Sequence, residues 1–212
     1  MRITSRFATV ALAMLSAATT GNAVSFSFAG NFNHDNDVQL FHFGLLSAST
    51  ITLQTWSYGG GINAEGDPVL PGGFRIALQV FDAPTGQALG VSFLPGTAAC
   101  PPNNPDPARL DSCLDVFGQL SLSAGNYIVA LTQFENLAPG NLSDGFFYVD
   151  VVPDPNFNNG FNFAGLQGTS AWELDILGVD SAAPAPEPAS ALLIAGAVLL
   201  AGIDARRRRI RA

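Results

Sequence analysis

The chain contains no lysine, and between Arg6 and Arg206 it has only two arginines, Arg75 and Arg109. Without lysine there is no Schiff-base chemistry and no Walker-type phosphate loop. Residues 24–183 carry fifteen Asp and Glu against those two arginines. Such a surface repels nucleic acid and anionic lipid, so no nucleic-acid partner is expected. Histidine is almost missing too. Only His34 and His42 occur, with no Gly-x-Ser-x-Gly elbow beside them, so no nucleophile-base pair can be assembled on sequence grounds. Glycosidase chemistry needs two carboxylates in a cleft, and among so many acids an accidental pair carries no signal. The expectation is a protein that is not an enzyme. Two cysteines, Cys100 and Cys113, are too few for a zinc site.

What is present points outward from the cytoplasm. Charged residues make up 12% of the 212, with 22 Gly, 14 Pro and 16 Phe. That charged share is about half the usual ~25% and suits a turn-rich exported β protein. Arg2 and Arg6 precede a short apolar stretch at 7–15, and small residues end in Gly21-Asn22-Ala23. This is the layout of a secretory signal peptide over 1–23, cut before Val24 by signal peptidase after Sec translocation. Export would place Cys100 and Cys113 in an oxidising compartment. A disulfide between them would close the 100–113 loop and contribute about 2–3 kcal/mol.

The other end is also patterned. Residues 181–188 read SAAPAPEP, a Pro/Ala linker expected to be extended and solvated. Residues 189–203 are apolar apart from Ser190, and Arg206, Arg207, Arg208 and Arg209 follow. Fifteen helical residues span roughly 22 Å, short of a ~30 Å hydrocarbon core but within reach of local thinning. The arginines would stay cytoplasmic, leaving the acidic body across the inner membrane. The order Pro186-Glu187-Pro188, apolar span, Arg206 to Arg209 resembles the PEP-CTERM sorting signal of Gram-negative bacteria. The resemblance implies recognition by an exosortase-type membrane protease, then delivery to the cell surface or exopolysaccharide matrix.

Between the two signals, residues 24–180 read as one folded domain. Short apolar segments rich in Phe, Val, Ile and Thr alternate with Gly, Pro, Asn and Asp. Strands are expected at 24–32, 37–45, 49–58, 74–82, 88–93, 115–122, 125–135, 144–152 and 170–179. Inward faces are assigned to Phe41, Phe43 and Leu45; to Ile51 and Leu53; to Ile76, Leu78 and Val80; to Tyr127, Val129 and Leu131; and to Trp172, Leu174 and Ile176. His42 alternates with Phe41 and Phe43 and should face solvent. Eight or nine such strands make an all-β, single antiparallel β-sandwich. With the two ends, the full chain would add a signal-peptide helix and, over 189–212, a C-terminal transmembrane helix with its Arg-rich tail. Long loops at 59–73, 95–112 and 153–168 are the places to look for binding.

The segments DNDVQLFHF, LQVFDAPTGQALG and LSLSAGNYIVALTQFEN together resemble bacterial pre-peptidase C-terminal domains. With TWSYGGGINAEGDPVLPGGF and WELDI they resemble a group of stand-alone exported relatives. The resemblance implies a jelly-roll-like sandwich and says nothing of an activity.

Two candidate sites remain. Asp35 and Asp37, in the turn HDND, offer oxygen ligands of the kind calcium takes, and Asp82 ends a strand that could neighbour them. Equally, they are ordinary turn residues bonding their own backbone. No other cofactor is implied. Trp56 and Tyr58 precede a Gly-rich loop and could stack on sugar rings or pack across strands. Three functions follow: a surface or matrix protein with a structural or adhesive role, a carbohydrate-binding module built on Trp56, Tyr58 and the 59–73 loop, and an unrecognised hydrolase.

Overall fold

The computed structural model describes residues 24–97, 114–134, 136–147, 162–163 and 166–185. The signal peptide, Cys100 and Cys113, Pro186 to Pro188 and Arg206 to Arg209 lie outside the described residues. Among the described residues no helix is long and apolar enough to cross a membrane.

The described chain is all-β, and every strand pair is antiparallel. In chain order the principal strands are β1 (Val24–Asn31), β2 (Val38–Leu45) and β3 (Ser49–Thr55). A small hairpin of β4 (Gly61–Ile62) and β5 (Pro68–Val69) follows, then β6 (Ile76–Asp82) and β7 (Ala88–Phe93). β8 (Phe117–Leu122) and β9 (Gly125–Gln133) precede a second small hairpin of β10 (Asn162–Phe163) and β11 (Leu166–Gln167). β12 (Ala171–Val179) and β13 (Ser181–Pro184) end the domain. One sheet has the order β1-β12-β3-β8 and the other β13-β2-β9-β6-β7.

The two sheets share one core because each strand alternates. Phe41, Phe43 and Leu45 from β2, Ile76, Leu78 and Val80 from β6, and Tyr127, Val129 and Leu131 from β9 form one wall. Ile51 and Leu53 from β3 meet them from the other sheet, with Trp172, Leu174 and Ile176 from β12. These are the inward faces the alternation predicts. His42 is exposed between Phe41 and Phe43, also as predicted. The Trp172 ring lies across β1 so closely that a side chain at Gly30 would run into it.

Strand β9 is apolar on both faces for a reason. Its outer residues Ile128 and Ala130 are buried beneath Ala138, Leu142 and Phe146 of the segment after it. Where β8 hands over to β9 the chain also changes sheet. The Tyr127 hydroxyl fixes that corner by donating to the Ser123 carbonyl at 3.0 Å.

The structure departs from the predicted strands in three places. The strand expected at 49–58 stops at Thr55, because 56–59 turns and its amides bond elsewhere. The strand expected at 144–152 is not a strand over its described part. Leu142–Asp144 is a 3₁₀ turn, and Gly145 at φ 76° breaks the extended path. Conversely, Ser181–Pro184, read as solvated linker, forms edge strand β13 on β2. The Ala185 N–H extends that pairing to the Leu40 carbonyl. Pro184 is tolerated there because an edge strand needs hydrogen bonds on one side only.

Candidate functional site

The calcium candidates Asp35, Asp37 and Asp82 are not brought together, and Asp37 and Asp82 act as the turn residues that the other reading described. Asp37 precedes Val38, which lies across β9 from Ala77 through Thr132. Asp82 is five residues beyond that level along β6 and Asp37 one residue before it, so at ~3.4 Å per residue about 20 Å along the strands separates the two. Each serves its own turn. Asp37 Oδ2 accepts from the Asn33 and His34 amides at 2.6 and 2.9 Å. Asp82 Oδ2 accepts from the Thr85 amide and hydroxyl at 3.1 and 2.6 Å. Asp35 is half-buried in the turn with Asp37. Among the described residues no three His, Cys, Asp or Glu side chains gather as metal ligands.

Trp56 and Tyr58, offered above for sugar stacking or for packing, are both drawn into the domain. Tyr58 is 3% exposed, so its ring has no face to offer a sugar. Trp56 is half-buried, its ring pressed against Gly61 and its indole N–H committed to Asp175.

That commitment leads to a site the sequence reading missed. With Trp172, Leu174 and Ile176 facing the core, Glu173 and Asp175 must point to the outer face of β12, where solvent is expected. Yet each is only 2% exposed. The 56–73 segment folds back over them. Asp175 Oδ2 accepts from Trp56 Nε1 at 2.7 Å and from the Ala64 amide at 3.0 Å. Its Oδ1 accepts from the Ser27 hydroxyl at 2.5 Å, tying β1 to the same group.

A second carboxylate holds the base of the segment. Asp115 is buried just before β8. Its Oδ1 accepts from the Thr55 hydroxyl and the Tyr58 amide, both at 3.0 Å, and its Oδ2 accepts from the Gly59 amide at 2.7 Å. Burial pushes the Asp115 carboxyl up to about 6, although these donors pull the other way.

Glu173 lies between these two and is treated differently. Neither of its buried carboxyl oxygens has a hydrogen-bond partner of normal geometry. Burial, and then the neighbouring Asp175 charge, raise it to about 8, with the Asn63 side chain only partly offsetting them. At neutral pH Glu173 is therefore a neutral acid beside the three-donor carboxyl of Asp175.

The tip and hinges of the segment are built locally. Asn63 Oδ1 accepts from the Glu65 and Asp67 amides at 3.1 and 2.8 Å, shaping the β4–β5 turn. Glycines stand at 59–61 and at 72–73. Gly73 donates to the Ser57 carbonyl at 2.7 Å, so close that a side chain there would strike backbone.

Elsewhere, a cleft of about 520 Å³ opens between the start of β2 and the 142–146 segment, lined by Asn33, Asp37, Gln39, Phe146 and Ala185. Comparison with family models and with curated proteins finds no match for the chain.

Proposed function

We propose that this protein is an exported surface or matrix protein sorted through its C-terminal segment. It crosses the inner membrane by the Sec route and loses residues 1–23 to signal peptidase. A transmembrane helix over 189–203, stopped by Arg206 to Arg209, holds it briefly in the inner membrane. An exosortase-type protease acts at Pro186-Glu187-Pro188, and the body passes to the cell surface or exopolysaccharide. The body is a jelly-roll-like sandwich with a structural or adhesive role, not a catalytic one.

The observation that carries this reading is the end of β13. Among the described residues the last one bonded to the sheet is Ala185, whose amide meets Leu40, and Pro186 follows it in sequence. A motif that begins at the residue after a sheet-bonded one lies close to the domain, which suits a signal read against a folded body. The charge layout supports the same reading, with fifteen acids and two arginines in 24–183 and an arginine cluster beyond the apolar run.

The test is sorting in a Gram-negative host with and without an exosortase. Wild type should reach the outside only when the protease is present, and Glu187→Ala should stay in the membrane fraction. Equal release from both hosts, or unimpaired release of Glu187→Ala, would contradict the proposal.

A further inference from the structure

The 56–73 segment carries glycines at 59–61 and 72–73; carboxylates hold its base at Trp56, Tyr58 and Gly59, and Asp175 holds it between the glycines at Ala64. A clipped cover normally seals apolar surface. This one seals the Glu173 carboxyl, whose oxygens have no hydrogen bond of normal geometry and face the Asn63 side chain of the segment itself. The groups facing that carboxyl are Asp175 on its own strand, Asp115 before β8 and Glu65 on the segment tip. Strand β1 presents Ala29 opposite it, and the end of β3 leads into Trp56. All of the charged groups among these are acidic. An ionised Glu173 would thus be a buried anion among like charges, and opening to water is its simplest relief.

We propose that the 56–73 segment is a hinged flap over the outer face of β12, closed while Glu173 is protonated and released when it ionises. Hinging falls at 59–61 and 72–73, where Gly60, Gly61 and Gly72 have φ of 67°, 158° and 120°. Release of the part beyond the 59–61 hinge breaks the Ala64 bond to Asp175 and opens the cover over the β12 carboxyl groups, with Trp56 left in place. It also moves Ile62 at the end of β4 and Leu70 just after β5, which are already 58% and 83% exposed. The raised proton affinity of Glu173 places the transition in mildly alkaline conditions, near 8. Opening gains up to about tenfold per pH unit as pH rises from the ordinary carboxyl range toward 8, and levels off above 8, where Glu173 is ionised in both states.

The test is hydrogen exchange across 59–73 in the detergent-solubilised full-length chain, corrected for intrinsic base catalysis, in wild type and Glu173→Gln. Wild-type flap amides should lose protection as pH climbs toward about 8 and change little above it, while those of β2 and β9 keep theirs; Glu173→Gln should keep its flap protected through pH 9. The carboxyl carbon of Glu173, followed by NMR in wild type, should titrate at the pH where the gain in flap exchange levels off, a readout that survives a poorly folding variant. Identical flap profiles in the two proteins, or flap exchange that levels off well away from the carboxyl midpoint, would overturn the proposal.

Discussion

The Trp56 indole donates to Asp175 Oδ2 at 2.7 Å, across 119 residues of sequence. The bond joins the start of the 56–73 segment to the middle of β12 and spans a sheet face that would otherwise be open. Trp56→Phe keeps the ring against Gly61 and removes only the donor. We expect a loss of about 1–3 kcal/mol, since hydrogen bonds to charged groups lie in that range. Urea unfolding measures it, and an unchanged midpoint would show that the bond is not made in solution.

Asp115 satisfies two turn amides and the Thr55 hydroxyl at once. Asp115→Ala leaves all three donors without their acceptor, and a cost of about 3 kcal/mol is expected. Asp115→Asn keeps one acceptor oxygen and should lose less. If both variants melt like wild type, the turn at 56–59 is held by other means.

Stability should depend on pH with a definite sign. The folded values of Asp115 and Glu173, about 6 and about 8, lie above their ordinary values of 3.8 and 4.5. Both groups are raised, so the native state holds protons that the unfolded chain releases. Their contribution is fully present below about pH 4 and is lost as pH climbs through 6 and then 8. Thermal melts from pH 5 to 9 should therefore fall, and Glu173→Gln should flatten the part above pH 6. A wild-type midpoint that rises over this range would contradict the assignment.

The inward faces were legible because a strand alternates with period two. Phe41, Phe43 and Leu45, or Trp172, Leu174 and Ile176, can be read directly from spacing. The same rule hid the acidic site. In the run Trp172-Glu173-Leu174-Asp175-Ile176 the acids look solvated, and the segment that buries them comes from more than a hundred residues away. Such cover leaves no periodic trace. The hints were indirect: two acids alternating inside one strand, and glycine pairs bracketing a long loop. Strand β13 was missed for a related reason. SAAP has linker composition, and pairing with β2 overrides it. Spacing alone left Asp35, Asp37 and Asp82 open between a cation site and ordinary turns, because proximity along two strands depends on register, which the sequence does not print.

Tyr127 anchors the crossover from β8 to β9 through the Ser123 carbonyl. Tyr127→Phe should cost about 1 kcal/mol with the core otherwise intact. Gly30→Ala should cost about 1–3 kcal/mol, because the new methyl meets the Trp172 ring. Denaturation of the two variants and their double mutant should give additive losses, as no shared partner links the sites.

The most direct test of the sorting account is intact-mass spectrometry of the protein recovered from the extracellular fraction of a producing cell that carries an exosortase. The account predicts a chain that begins at Val24 and has lost Arg206 to Arg209, with its new end near Pro186-Glu187-Pro188. A full-length chain, uncut at both ends and found in the cytoplasm, would contradict it.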